Sequence, residues 1–553
     1  MSWTRFAVGI LCAFSAAAQD PKPAPYFPKA DYFRYIFQKP EARVQLEEPV
    51  KLRDYRVGDR LELSLRSYLE LVAANNTEIA ISRLTVETAR NQITRAFAPF
   101  DPLGTAQFNA TRNTQPTTSV LQGAATLKTL SQPLNLGYQQ TLLNGMQYNV
   151  SFFGQKFTTN DSFAVFNPQF TTNLRVDFAQ PLLRGRGAAV QKIPIMVARS
   201  RLRQTEQNLK DTLLRLIAQA ELIYWRGVEL RENLKVQERA LELAEAFLKR
   251  ARRELELGAI SRLDIYQPEF QFAQAQASVT QARYLVLQQD DLLRRQIGAD
   301  LDPEVRRLPI VLTEDPAPPG GLTTIDAEAA VARALTLRPD LKAALQALDI
   351  DELSIRQARD QLKPDFALTG GYTSQGRGGN FLERTNVFSD TGQSSVVTRL
   401  IPGGVGDALD QLFGFGFPVY QFGLRLRLPI RDRQAQANLA DALVARRRDT
   451  LFVRQVEQQI RQEVLNAVNQ VESAKEGVDL SLKALDFARK RLEAEQRKYE
   501  LGTSQIFIVL QAQTDLISAE SQVVTQSVAY RRNLVNLLRL SGELLEERGI
   551  LIQ

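Results

Sequence analysis

Histidine and cysteine, the side chains that most often carry acid–base, nucleophilic and zinc chemistry, are almost absent from this chain of 553 residues. There is no histidine, and the one cysteine, Cys12, lies in a short apolar run near the N-terminus. Removal of that run would exclude imidazole acid–base catalysis, thiolate nucleophiles, disulfides and thiolate zinc sites. No polar constellation converging on a pocket is evident elsewhere. The sequence therefore predicts no enzyme, no cofactor and no metal site.

The polar residues that remain of interest flank two glycines, each of which interrupts a long helical pattern. Arg262 and Asp264 follow Gly258, and Tyr499 precedes Gly502. If the two breaks pack together, Arg262 and Tyr499 are available partners for Asp264, in contacts worth at most about 1 kcal/mol each. Local roles explain the same residues. The glycines suit helix C-caps, Asp264 suits the first turn of a new helix, Tyr499 suits core packing, and Arg262 suits a solvated surface.

An export signal is predicted at residues 1–18. Arg5 supplies the positive charge, a short apolar run follows, and small alanines precede a cut before Gln19. The run is too short to span a bilayer, which takes about 20 apolar residues. Lipidation of Cys12 is disfavoured, because Leu11 stands where a lipoprotein signal has a small residue.

The charged residues are interleaved along the chain. Lys and Arg number 69, Asp and Glu number 62, and the net charge is only +7. This pattern is typical of solvated helix faces and not of a surface that binds nucleic acid. We therefore expect no nucleic-acid partner.

The chain contains an internal repeat. The triplet Glu256-Leu257-Gly258 returns as Glu500-Leu501-Gly502, so that the two glycines are 244 residues apart. In each copy a second glycine follows 40 residues later, Gly298 in the first and Gly542 in the second. Self-similarity at this spacing indicates that one structural unit is used twice.

The pattern predicts the order of elements in both repeats. We expect a signal peptide at 1–18, a Pro-rich extension at 19–60, a first repeat at 61–298, a linker at 299–325 and a second repeat at 326–553. The first repeat should contain a helix at 64–97, a β insert at 103–182, a long helix at 188–257 and a helix at 263–297. The second should contain a helix at 326–362, an insert at 365–430, a long helix at 434–501, a helix at 503–541 and a C-terminal tail.

Heptad spacing marks the two long helices. In the first, Leu213, Ala220, Gly227 and Leu234 are seven residues apart, and in the second Val464 begins a similar row. A sustained seven-residue period predicts packed seams with a left-handed supercoil. A 70-residue helix is about 105 Å long at 1.5 Å per residue, a length that no compact globular enzyme requires.

The two inserts alternate polar and apolar residues as strands do. Export and aromatic alternation favour lipid-facing strands of a membrane barrel, although a soluble β-cap would also alternate. Residues 374–416, rich in Gly, Ser and Asn, are expected to form a long loop. The strand-like segment 134–156 could add a hairpin outside the barrel.

At this point the sequence resembles the TolC-type outer-membrane efflux protein family. The resemblance covers nearly all of the chain from about residue 55, and its most specific parts are the segments 257–265 and 499–512. The segment 180–185, Gln-Pro-Leu-Leu-Arg-Gly, resembles the family's return from barrel to helix.

The resemblance implies a fold that is mainly α with membrane β: two repeats of long helical hairpins forming an α-barrel, plus strands contributing to a shared trimeric β-barrel. It implies a homotrimer in the outer membrane, in contact with lipid, whose helices extend into the periplasm. It implies export of small molecules or proteins from a Gram-negative-type cell with an inner-membrane transporter and a periplasmic adaptor protein. It places Asp264 and Tyr499 at the closed, periplasmic end. Ile508 and Gln511 stand where some relatives carry acids, which argues against a simple acidic ring.

An exported coiled-coil structural or adhesion protein is the alternative. It would explain the heptads but neither the paired β inserts nor the short half-helices.

Overall fold

The computed structural model describes residues 52–117, 122, 124–258, 260–317, 325–385, 396–501 and 503–550. The predicted signal peptide, Cys12 and most of the Pro-rich extension lie outside the described residues. No helix in the described ranges combines the length and the apolar character needed to cross a bilayer.

Helices account for most of the described chain, and two of them are very long. They are α1 Leu65–Asn75, α2 Thr77–Phe97, α3 Ala188–Gln191, α4 Ile193–Glu256, α5 Tyr266–Ile297, α6 Ala327–Leu337, α7 Pro339–Gln361, α8 Val405–Phe413, α9 Arg433–Glu500, α10 Ile506–Ser541 and α11 Leu544–Glu547. Helix α4 has 64 residues and α9 has 68.

The heptad rows lie where the long helices are packed. In α9, Val464, Val471 and Val478 are buried, and so are Ala467 and Ala474 of the second row. These valines and alanines belong to one apolar cluster with residues of α6, α7 and α10. The seven-residue spacing thus keeps one stripe of α9 against its neighbours along the middle of the helix.

Each helix predicted to precede an insert is divided in two. The first is interrupted at Asn76, whose side-chain oxygen accepts hydrogen bonds from the backbone N–H groups of Glu78 and Ile79 at 2.9 and 3.3 Å. That side chain caps a new helix, α2. The second is interrupted before Pro339, which cannot continue a helix from the preceding residue but suits a first helical position. The expected single helices 64–97 and 326–362 are therefore corrected to two helices each.

Eight strands from both inserts form one antiparallel sheet. They are β3 Leu103–Phe108, β4 Thr111–Pro116, β5 Thr126–Thr141, β6 Gln147–Thr159, β7 Phe166–Pro181, β9 Asp365–Thr385, β10 Val396–Ile401 and β11 Pro418–Arg427. Across the sheet β3 and β4 share the edge of β5, then β6, β7 and β9 follow, and β10 and β11 share the far edge of β9.

The sheet has one apolar and one polar face. Residues directly opposite each other on neighbouring strands share a face, and side chains alternate along each strand. One row in register consists of Tyr138, Val150, Val176, Tyr372 and Tyr420. We call the face that bears this row the apolar face.

The next row lies on the opposite side, which we call the polar face. It consists of Gln139, Asn149, Asp177, Gly371 and Gln421. The alternation predicted from the sequence is thus carried across both inserts in register.

The expectation of a long loop at 374–416 is wrong in the described parts of that range, 374–385 and 396–416. Strand β9 continues to Thr385, and α8 follows β10 and packs on the apolar face. Glycine permits this contact, because a Cβ on Gly376 would lie 1.9 Å from the Ala408 carbonyl oxygen and one on Gly378 would lie 2.2 Å from that of Gly404. The glycine content of this segment was interpreted as a loop. In the structure these glycines lie in a strand, where they allow a helix to approach closely.

A small second sheet joins the start of the first repeat to the linker. Strands β1 Arg56–Val57 and β2 Arg60–Leu63 are antiparallel, and β2 pairs in parallel with β8 Ile310–Leu312. The Tyr224 hydroxyl of α4 donates to the Leu63 carbonyl at 3.0 Å. Residues 299–325, predicted as linker only, therefore include a strand that is fixed to the core of the first repeat.

Candidate functional site at the helix tips

The first tip is the turn between α4 and α5. Helix α4 ends at Glu256, and Gly258 has φ of +73°, the left-handed conformation that glycine adopts without steric cost. Gly258 is exposed and a Cβ there would meet nothing within 4 Å. Its conformation, and not crowding, accounts for the glycine.

Asp264 is engaged within its own turn. Its carboxylate accepts a hydrogen bond from the Ser261 backbone N–H at 3.0 Å, and its own N–H donates to the Ser261 carbonyl at 3.0 Å. The Asp264 and Arg262 side chains are both exposed. These contacts favour a local turn-stabilising role for Asp264 within one chain, and its predicted gating role stays a prediction.

Tyr499 connects the two tips. Its hydroxyl donates to the Glu254 carboxylate at 2.9 Å, which joins the end of α9 to the end of α4. Arg250 lies over the Tyr499 ring at 5.3 Å from its centroid and pairs with Glu254 at 2.9 Å. Burial, followed by the hydrogen bond to Glu254, raises the pKa of Tyr499 above its usual value. The phenol therefore remains a donor at neutral pH.

Apolar packing crosses between the tips at the same level. Phe247 of α4 packs against a cluster formed by Leu492 of α9 with Val509 and Ala512 of α10. Tyr499 belongs to the same cluster. The contact between repeats thus combines a small apolar cluster with one charge-assisted hydrogen bond.

The residues predicted for this site are only partly brought together. Tyr499 contacts the other tip, but through Glu254 and Arg250 and not through Asp264. Gly502 lies outside the described residues. Sequence reasoning missed Glu254 and Phe247. The spacing of Arg250 and Glu254, four residues apart on one helix, was a signal for an ion pair but not for its partner in the other repeat.

The site offers contacts and no reaction chemistry. In the described ranges no three His, Cys, Asp or Glu side chains come close enough to hold a metal ion. What the geometry provides is a polar contact between two helix ends whose breakage would cost little.

Comparison with known proteins identifies this architecture. Residues 330–543 match the family model described as outer membrane efflux protein. The outer membrane efflux protein BepC of Brucella suis biovar 1 (strain 1330) is 23% identical over 452 residues, which cover 81% of this chain and 79% of BepC.

Solved structures show the same fold. A crystal structure of CusC superposes with a TM-score of 0.61 at 15% identity, covering 91% of this chain and 99% of that one. The Campylobacter jejuni CmeC outer membrane channel gives 0.59 at 15% identity, covering 88% and 89%. The open state of the Neisseria gonorrhoeae MtrE outer membrane channel gives 0.56 at 19% identity, covering 87% and 89%.

The long helices, the two-faced sheet and these similarities give the chain the fold of outer-membrane efflux channels. The second repeat matches the outer membrane efflux protein family over residues 330–543, and the chain as a whole has the fold of the outer membrane channels named above. The matched family and the similar solved channels are outer-membrane proteins, as the resemblance predicted for this chain.

Proposed function

We propose that this chain is one protomer of a homotrimeric channel that exports small molecules or proteins, together with an inner-membrane transporter and a periplasmic adaptor protein. The observation that carries the proposal is a single sheet with one apolar face, open at both edges and continuous with the long helices. Such a sheet suits a membrane wall only when other copies complete it.

The open edges support self-association. All six residues of β3 are exposed, and so are nine of the ten residues of β11. Unpaired backbone groups cost several kcal/mol each in hydrocarbon. Pairing of the β11 edge with the β3 edge of a neighbouring copy removes that cost.

The apolar face suits outer-membrane lipid. On β11, Phe422, Leu424 and Leu426 are 75%, 67% and 61% exposed. Alternating exposed apolar side chains on a strand are the mark of a lipid-facing surface. The interleaved charges elsewhere give no reason to expect nucleic acid as a partner.

The tips suit docking of another protein. Leu257, Leu263 and Leu501 are 84%, 75% and 78% exposed at the ends of the helical hairpins. Apolar residues concentrated at one exposed place mark a protein–protein contact more often than isolated ones do. The tips therefore support an adaptor or a transporter as the partner at this end.

Two measurements test the proposal. Mass determination in mild detergent should give three copies per particle, and the purified particle should conduct ions in planar bilayers. A monomer would overturn the assembly. A stable trimer that never conducts, even with the Tyr499–Glu254 contact removed, would favour the exported structural or adhesion protein instead.

A further inference from the structure

The hairpin β5–β6 lies inside the large sheet and not beside it. Strand β5 pairs with β3 and β4 on one side and with β6 on the other, and β6 pairs with β7 over eleven residue pairs. The expectation that segment 134–156 adds a separate hairpin does not fit this pairing. In the described residues the sheet is therefore six strands wide, counting β3 with β4, and β10 with β11, as one position each.

The two hairpin strands carry the same alternation as the rest of the sheet. Leu136 and Tyr138 of β5 and Val150 and Phe152 of β6 lie on the apolar face, in register with Val176 of β7. On the polar face β5 carries Asn135 and Gln139 and β6 carries Asn149 and Ser151, while Phe153 and Phe157 interrupt the polar row farther along β6. A solvent-exposed hairpin outside the barrel would not require an apolar row that continues across the neighbouring strands.

The strand directions allow sheets of six strand positions from neighbouring copies to join into a closed barrel. Every pairing from β3 to β11 is antiparallel, so β3 and β11, at opposite edges, run in opposite directions. The β11 edge of one copy can therefore pair antiparallel with the β3 edge of the next. An odd number of positions would force a parallel pair at each junction.

We infer that the β5–β6 hairpin is part of the membrane wall, so that each protomer contributes six strands and the trimer closes a barrel of eighteen. This inference rests on the proposed function. With strands about 4.8 Å apart and tilted about 40°, eighteen strands give a barrel about 36 Å across between backbones, against about 24 Å for twelve. Such a barrel would admit correspondingly wide cargo, so that the helix tips would select what passes.

Fluorescent labels on single cysteines test the position of the hairpin. In a Cys12→Ser background the label is placed on the apolar face by Leu136→Cys or Val150→Cys, and on the polar face by Asn135→Cys or Ser151→Cys. Val176→Cys on β7 is the reference for the wall. Purified trimers in liposomes are exposed to nitroxide-bearing lipids and, separately, to a water-soluble quencher.

The lipid quencher should quench the labels at 136 and 150 as strongly as the label at 176, while the labels at 135 and 151 respond to the aqueous quencher. Aqueous quenching at 136 and 150 with lipid quenching at 176 would overturn the inference and leave four strands per protomer. Absence of lipid quenching at 176 would instead contradict the membrane sheet of the proposed function, and the inference with it.

Discussion

The Tyr499 hydroxyl donates to the Glu254 carboxylate at 2.9 Å, a contact that joins the last turn of α9 to the last turn of α4. These two helices belong to different repeats. In the proposed channel this hydrogen bond lies at the periplasmic end of the tunnel, which would leak if it stayed open. We propose that it holds the resting channel closed.

Loss of this contact should open the resting channel. Tyr499→Phe keeps the packed ring but removes the donor, and Glu254→Gln keeps the shape but removes the charge. Each hydrogen bond is worth about 1 kcal/mol, so three per trimer change the ratio of open to closed channels about a hundredfold. We expect both variants to raise the resting conductance of single trimers in planar bilayers.

The control is an ion pair confined to one hairpin. Arg252 of α4 pairs with Glu269 of α5 at 3.2 Å, within the first repeat. Glu269→Gln should leave conductance unchanged. If Asp264→Ala raises conductance and Tyr499→Phe does not, the gate depends on the turn of the first repeat. The Tyr499–Glu254 contact then has only a structural role.

The C-terminal segment is fixed to α4 by a buried ion pair. Glu221 is fully buried and receives two hydrogen bonds from Arg548, at 2.6 and 3.0 Å, and a third from the Trp225 indole at 3.3 Å. Arg548→Met leaves the carboxylate unpaired and should destabilise the protein by about 3–5 kcal/mol. Thermal unfolding in detergent, followed by circular dichroism, measures the change.

The double variant Glu221→Gln with Arg548→Met separates charge from packing. It removes the unpaired charge, so it should unfold at a higher temperature than Arg548→Met alone. If the single variant unfolds at the wild-type temperature, Arg548 contributes nothing to the attachment of the C-terminal segment.

Larger substitutions at the small residues of the heptad rows should disturb helix packing. A Cβ on Gly227 would lie 3.0 Å from Leu312 of β8 and 3.3 Å from Leu293 of α5. Gly227→Val therefore crowds the seam between the long helix and the linker strand, at a cost of about 1–3 kcal/mol. We expect less assembled protein and a lower unfolding temperature.

Gly406 provides the matched comparison for Gly227. It also lies within a helix, but a Cβ there meets nothing within 4 Å. Gly406→Ala should be neutral or slightly stabilising. Equal behaviour of the variants at 227 and 406 would show that the seam can relax around the added side chain.

Periodicity predicted the long helices well because a packed helix requires apolar residues at regular spacing along the sequence. Valines and alanines seven apart in α9 are buried where the heptads place them, and the bounds of α9 differ from the predicted 434–501 by one residue at each end. The alternation of β6 and β11 likewise indicated strands. Both signals arise from contacts that repeat along one element.

Contacts between segments that are distant in the sequence produce no regular pattern from which they could be predicted. Glu254 and Tyr499 are 245 residues apart, and no spacing rule links a glutamate of one repeat to a tyrosine of the other. The pairing of β2 with β8 depends on three residues in a Pro-rich linker. Asn76 and Pro339 are residue types typical of a helix start, and each begins a separate helix in the structure.

The contact of α8 with the sheet depends on glycines, a residue type that is also common in loops. Gly376 and Gly378 form the surface on which α8 packs, with Cβ positions 1.9 Å and 2.2 Å from helix-side carbonyl oxygens. The Thr172 and Ser374 hydroxyls add hydrogen bonds to the Ala408 and Leu412 carbonyls at 3.0 and 2.7 Å.

Gly376→Val should displace α8 while leaving the strand pairing of β9 intact, because valine suits a strand but its Cβ occupies the position of the Ala408 carbonyl. Phe413, Phe415 and Phe417 follow the contact and are exposed. Chymotrypsin should therefore cut this segment faster in intact trimers of the variant than in the parent. Gly416→Ala is the control, since its nearest neighbouring atom lies 3.9 Å from the added Cβ, and it should be cut at the parental rate. An unchanged rate in Gly376→Val trimers would show that α8 is held by its own turns and not by the glycine surface.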